Sequence, residues 1–205
     1  METQQVELWS NIIRGASSEG LLRTALRHVA YSLSDMVGRP FEVSGLRIET
    51  RPINQLVTYA NDPEAETVGV YLRSIDALPG QTILILSLAD AMYLADWLLE
   101  LRPGTTTRLG SLEYSALAET GNLMLSSFLN AVAEFTGQPL RLSPPAVMVD
   151  MLATVFQAVA ASVAEVTDDL FILETDFVNV DSSLLIRLWL LPDPAILTLN
   201  QVKIS

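Results

Sequence analysis

The strongest constraint in this sequence is the stretch from Ser111 to Gly137, which has the pattern of one long amphipathic helix. Ser111 is the expected N-cap, Gly137 the expected left-handed residue after the last turn, and Pro139 prevents continuation. The chain must fold around this helix, because its apolar face has to be buried. That face repeats every three or four positions and comprises Leu117, Gly121, Met124, Leu125, Phe128, Val132 and Phe135.

The other side of the same helix carries a polar stripe made of Ser115, Glu119, Asn122 and Ser126. Glu119 and Asn122 are three residues apart, so about 4.5 Å of helical rise separates them and a partner would meet both together. Every amphipathic helix needs a polar side, so spacing alone favours the simpler interpretation that these residues only hydrate the surface. Residues outside the helix must therefore decide whether the stripe is a functional site or only a hydrated surface.

That evidence comes from a longer pattern, in which Ser115-x3-Glu119-x2-Asn122 is followed by twenty-two residues and then Pro145. It resembles the signature of the CheC/CheX/FliY family, phosphatases of phosphorylated CheY-type response regulators. The surroundings are also similar to CheC, because they include the Glu-Thr-Gly-Asn run at 119–122, Asn130-Ala131, Asp150-Met151 and the Leu-Leu-Pro-Asp-Pro run at 190–194.

The resemblance implies a role for each residue of the pattern. Asn122 would orient the water that attacks the aspartyl phosphate, as a carboxamide can both donate and accept and has no proton to lose near neutral pH. Glu119 would pair with a lysine of the regulator, while Ser115 and Pro145 would support the site. This chain would bind no cofactor, and the Mg²⁺ ion would belong to the regulator.

Composition narrows the class of protein. With 205 residues, half of them hydrophobic, the chain can bury a good core. A net charge of −12 makes nucleic acid and anionic membranes poor partners, and the absence of cysteine excludes disulfide scaffolds and cysteine nucleophiles. No signal peptide or transmembrane segment is visible, so we expect a cytoplasmic protein without membrane insertion.

The order of elements restarts after residues 102–110, which form the predicted linker. A Gly-x-Pro sequence ends the helices before residues 40 and 139 alike, so the two halves, about 16–101 and 111–205, are predicted to be duplicated copies within one domain. Helices are predicted over about 4–15, 19–37, 88–101, 111–136, 151–164 and near Pro194, and strands over about 41–48, 67–75, 82–87, 140–149, 166–178 and 184–191.

These elements predict an α+β fold. The resemblance implies more: a pseudo-twofold molecule in which the two long helices pack side by side on one continuous, mainly antiparallel sheet, with their polar stripes facing out. The first repeat has Ala16, Gly20 and Arg23 where the second has Ser115, Glu119 and Asn122. We therefore expect one active site instead of two.

Other polar residues favour structural roles. His28 has no ligand-like neighbours along its helix, Asp150 precedes a predicted helix and is expected to cap it, and Asp168, Asp169 and Asp193 are expected in turns. No glycine-rich phosphate loop is present.

Two other classes of function stay open. One is a non-catalytic adaptor of the same fold that binds a response regulator, a CheD-like protein or a flagellar switch component. The other is a structural homodimer in which the stripe around Glu119 is only hydrated.

Overall fold

The computed structural model describes residues 18–56, 62–75, 79–137, 141–162 and 167–194. Its centre is one six-stranded sheet in which every neighbouring pair is antiparallel and the order is β1-β5-β6-β3-β2-β4. The strands are β1 (Phe41–Pro52), β2 (Glu66–Ser74), β3 (Gly80–Ser87), β4 (Ala146–Met151), β5 (Asp169–Asn179) and β6 (Leu185–Pro192). The predicted α+β class with a continuous antiparallel sheet is confirmed.

The strand order has a twofold character. Exchanging each strand for its counterpart in the other half, β1 with β4, β2 with β5 and β3 with β6, reproduces the order read backwards. Each edge strand pairs with the opposite half, because β1 lies against β5 and β4 lies against β2. The fold is therefore pseudo-twofold, as the resemblance implied. The division into repeats 16–101 and 111–205 with a linker at 102–110 stays a prediction.

Within the described ranges, three helices cover one face of the sheet: α1 (Ser18–Val37), α2 (Leu88–Leu98) and α3 (Ser111–Thr136). The two long helices, α1 and α3, pack side by side, and the Ser127 hydroxyl donates to the Ser32 hydroxyl between them at 2.8 Å. Their buried residues and the inward side chains of the sheet, such as Val70, Leu84 and Leu188, form the main core. The predicted arrangement of the long helices is confirmed.

The fourth helix, α4 (Leu152–Ala161), lies on the opposite face of the sheet. There Phe156 stacks on Trp189, with ring centroids 4.7 Å apart, and the Trp189 indole N–H donates to the buried carboxylate of Glu174 at 2.7 Å. The apolar periodicity of the sequence predicted α4 but could not say which face of the sheet it covers.

Several predicted boundaries need correction. Gly110, not Ser111, is the N-cap of α3. Met151 is the N-cap of α4, so Asp150 belongs to β4, and its carboxylate accepts a hydrogen bond from the Met151 N–H at 2.8 Å. The strand predicted from 140 begins only at Ala146, because the two preceding prolines have no N–H with which to join the ladder. The helix predicted to 101 ends at Leu98. The predicted helices at 4–15 and after Pro194 lie outside the described residues.

The predicted linker is held tightly by one buried carboxylate. Asp96, on α2, is fully buried and accepts hydrogen bonds from the backbone N–H groups of Gly104, Thr105 and Thr106 at 2.7, 3.0 and 2.8 Å. Desolvation raises the pKa of Asp96, but the bonds from Thr106, Gly104 and Thr105 together outweigh it and leave that pKa below its usual value. The carboxylate thereby connects α2 to the segment that leads into α3.

Candidate functional site

Helix α3 lies unusually close to strand β2. A Cβ atom at Gly121 would be only 2.6 Å from Val70 Cγ1 and 3.2 Å from Leu72 Cδ1. Only glycine permits this approach, since the atoms it would meet belong to buried side chains of the sheet. The predicted apolar face is buried over Leu117, Gly121, Met124, Leu125, Phe128 and Val132, while the burial of Phe135 lies outside the described residues.

The opposite face of α3 carries the predicted polar stripe. Glu119 is exposed and Asn122 is half-buried, about 60° apart around the helix axis. Ser115 is exposed one turn before Glu119, and its hydroxyl donates to the Ser111 carbonyl at 2.9 Å. The helix therefore brings Ser115, Glu119 and Asn122 together on one surface that is turned away from the core.

Within the described part of the chain, neither Glu119 nor Asn122 has a hydrogen-bond or ion-pair partner. Their acceptors, and the two N–H donors of the carboxamide, are thus available to a molecule that binds from outside. Polar side chains held on a rigid helix can orient a water molecule or a charged group without first breaking internal bonds.

Pro145 stands immediately before β4, the edge strand that contacts both α3 and β2. Residues on the other side of the proline pair continue the pairing with β2: Ser143 N–H donates to the Arg73 carbonyl at 2.9 Å, and Arg73 N–H donates to the Ser143 hydroxyl at 3.0 Å. Pro144 and Pro145 therefore interrupt a ladder that is held at both ends. Pro145 therefore lies just before a strand that contacts α3, and not on the stripe itself.

The equivalent surface of the first half lacks the polar pair. Gly20 and Arg23 stand on α1 at the positions that correspond to Glu119 and Asn122, and both are exposed. Ala16 lies outside the described residues. Of the two long helices on this face of the sheet, only α3 therefore carries the Glu119 and Asn122 pair.

The remaining candidates do not form a second site. His28 is exposed on α1, and Asp168 and Asp169 are exposed at the start of β5. Among the described residues, no group of three or more histidine, cysteine, aspartate or glutamate side chains is placed to hold a metal ion. In the same part of the chain, no helix is both long and apolar enough to span a membrane.

Leu112 lies on the same side of α3 as the polar stripe, and it was not identified from the sequence. Its side chain is 62% exposed, whereas the later leucines of the helix, such as Leu117 and Leu125, are 1% and 2% exposed. Its position seven residues before Glu119 could have revealed it, since seven residues are nearly two full turns.

Comparison with known proteins points to the same segment of the chain as the candidate site. A model of the CheC-like family matches residues 112–149, which include the stripe, Pro145 and most of β4. The structure of FliY from Thermotoga maritima is 20% identical, with a TM-score of 0.65 over 87% of this chain and 89% of that chain.

Two further structures share the fold. The FliM middle domain of Vibrio alginolyticus is 11% identical, with a TM-score of 0.59 over 86% of this chain and 93% of that chain. The structure of the CheX–CheY complex with BeF₃ and Mg²⁺ from Borrelia burgdorferi is 15% identical, with a TM-score of 0.53 over 82% of this chain and 94% of the matched chain. These structures share the fold of this chain, and the family model confirms the resemblance to the CheC-like family over residues 112–149, the segment that carries the candidate site.

Proposed function

We propose that this protein is a phosphatase that hydrolyses the aspartyl phosphate of a CheY-type response regulator, which makes it a cytoplasmic hydrolase of a chemotaxis-type two-component system. The observation that carries the proposal is the pairing of Glu119 and Asn122, which share the outward stripe of α3 and have no partner among the described residues. A face that served only hydration would not need this pair within the signature that ends at Pro145.

In the proposed mechanism, α3 lies across the acidic pocket of the regulator. Glu119 pairs with a regulator lysine and so docks the helix, and the Asn122 carboxamide holds a water molecule in line with the phosphorus–oxygen bond that breaks. The regulator supplies the Mg²⁺ ion that balances the phosphoryl charge. The contribution of this chain is placement, because an oriented water molecule has a high effective concentration at the phosphorus.

Electrostatics sets the character of the encounter. A net charge of −12 does not attract an acidic regulator over long distances, so short-range contacts must provide recognition. We expect modest affinity and rapid release, which suit a protein that terminates a signal.

A second candidate is an adaptor that binds a regulator, a CheD-like protein or a flagellar switch component without hydrolysis. The likeness to the FliM middle domain favours it, since that protein shares the fold. The absence of the polar pair from α1 agrees with this candidate, because the fold contains a long helix that lacks the pair.

The decay of acylphosphate on candidate receiver domains separates the two functions. Phosphorylated domains are mixed with the wild-type protein, with Asn122→Ala, or with Gln157→Ala as a matched control that removes an exposed carboxamide from α4, on the opposite face. The phosphatase hypothesis expects faster decay with the wild type and with Gln157→Ala, and not with Asn122→Ala. Binding without accelerated decay on any tested domain would favour the adaptor.

A further inference from the structure

Leu112 is an apolar side chain that the core does not use. It is 62% exposed in the first turn of α3, among the largest exposures of any apolar residue in the described ranges. A leucine in that position gains only a small part of the stabilisation that burial would give. A single exposed leucine is common on protein surfaces and needs no explanation. Leu112 is of interest because it lies on the same side of α3 as Glu119 and Asn122.

The position of Leu112 relative to the polar pair is set by helix geometry. Glu119 lies two turns further on, about 10 Å along the axis and only about 20° around it, and Asn122 follows one turn later. Leu112 and Glu119 therefore face the same direction. Any body that contacts both Glu119 and Asn122 and extends toward the N-terminal end of α3 also covers Leu112.

This end of the helix is rigid. The Gly110 N–H donates to the Glu113 carboxylate at 2.8 Å, and the Tyr114 N–H donates to the Gly110 carbonyl at 2.9 Å. The segment before it is held by the three hydrogen bonds to Asp96. Since the backbone under Leu112 is already ordered, burying this side chain in a complex costs side-chain entropy but little backbone entropy.

The charge of the stripe selects the kind of partner. Glu119 has no cation beside it within the described residues, so a partner that presents one is favoured over a partner that presents carboxylates. A second copy placed symmetrically on this stripe would bring Glu119 toward Glu119, in a chain whose net charge is already −12. The surface therefore fits a different protein, with a cation for Glu119 and an apolar contact about 10 Å away.

We propose that Leu112 is the apolar anchor through which the phosphorylated response regulator docks on α3. The proposal rests on the function proposed above and adds a division of labour to it. Leu112 contributes affinity and touches no reacting atom, Glu119 sets orientation, and Asn122 acts on the water. A few well-packed, desolvated side chains usually dominate the binding energy of an interface, and Leu112 would act as one of them although leucine is less common in that role than Trp, Tyr or Arg.

The test uses Leu112→Ser and a matched control, Val180→Ser, which removes a 54% exposed apolar side chain from the turn between β5 and β6. Binding is measured by titration with a receiver domain carrying beryllofluoride and Mg²⁺, and turnover by acylphosphate decay at increasing regulator concentration. We expect Leu112→Ser to raise Kd and KM about tenfold or more, equivalent to about 1.4 kcal/mol, while kcat stays within about twofold. Val180→Ser should change neither constant.

Each outcome decides something. A Kd for Leu112→Ser within about twofold of wild type, or an equal loss in Val180→Ser, overturns the anchor and leaves the phosphatase function standing if the wild type accelerates decay. Binding that Leu112→Ser weakens, without any hydrolysis by the wild type, supports the anchor and removes the phosphatase function. A wild type that binds no phosphorylated receiver domain overturns both.

Discussion

Replacing Gly121 by alanine tests the close approach on which the site geometry depends. The new methyl group would lie 2.6 Å from Val70 Cγ1, far inside van der Waals contact, so either the helix or the strand must move. Val70 is 1% exposed and β-branched, so its side chain has little rotational freedom with which to avoid the clash.

Two opposing effects set the magnitude. Overpacking a core by one methyl group costs about 1–3 kcal/mol, and alanine in place of glycine stabilises a helix by up to about 1 kcal/mol. We expect the clash to dominate, with a net loss of about 1–2 kcal/mol in the free energy of unfolding. Gly20→Ala is the matched control, because nothing lies within 4 Å of its Cβ position and it should stabilise α1.

The test is a double-mutant cycle that combines Gly121→Ala with Val70→Ala. The free energy of unfolding of each variant is measured by urea denaturation, monitored by circular dichroism. Val70→Ala alone should cost about 2 kcal/mol, since it removes two buried methyl groups. In the double variant the new methyl group occupies the vacated space, so the combined loss should fall short of the sum of the single losses by at least about 1 kcal/mol. The turnover of the double variant should recover together with its stability, because α3 can again pack against β2 as in the wild type.

Two results would refute this reasoning. Gly121→Ala could be as stable as the wild type, or the two losses could add to within about 0.5 kcal/mol. In either case α3 does not contact β2 at Gly121 as described, and the position assigned to Asn122 above the sheet is wrong.

Further variants test individual residues. Asn122→Ala should lower turnover about a hundredfold or more, with little change in affinity for a regulator carrying beryllofluoride, because the carboxamide acts chiefly in the transition state. Glu119→Ala should weaken that complex by about 1 kcal/mol or more, measured by calorimetry against Glu134→Ala, which removes an exposed carboxylate from the other end of α3. Arg23→Ala should leave turnover within about threefold, or roughly 0.65 kcal/mol, and a loss of two orders of magnitude would show that α1 takes part. Asp96→Asn should cost about 2–4 kcal/mol of stability at pH 7, because the buried, charged acceptor of three backbone N–H groups becomes a neutral amide. The lowered pKa of Asp96 stabilises the fold above its unfolded-state pKa of about 3.9, so the difference from wild type should shrink as pH falls below that value; a gap independent of pH would contradict this assignment.

Sequence patterns predicted the parts of this fold that depend on local chemistry. The long helices were recognised from apolar spacing and from the glycines that end them, and Gly38 and Gly137 do have φ values of 69° and 67°. The polar stripe of α3 followed from the same spacing. The position of α4 did not, because periodicity reports that a face is buried without reporting which side of a sheet buries it.

Long-range contacts explain the other differences. Asp96 looks like any acidic residue of a helix in the sequence, and its function as the acceptor for three N–H groups of the following segment arises only after α2 and that segment meet. Asp150 was expected to cap a helix, but pairing of β4 with β2 extends the strand through Met151 and moves the helix start beyond it. In each case tertiary hydrogen bonding overrode a local preference.

The exchange of edge strands between the two halves has a consequence for how the protein folds. Phe41, at the start of β1, pairs with Asn179, so the first edge of the sheet cannot form until nearly the whole chain is present. Neither half has a complete sheet of its own, and loop closure over such distances slows folding relative to a chain with local pairings. The nascent first half therefore leaves the ribosome with an unpaired β1, and the chain reaches its final topology only after synthesis of β6, which joins β5 to β3.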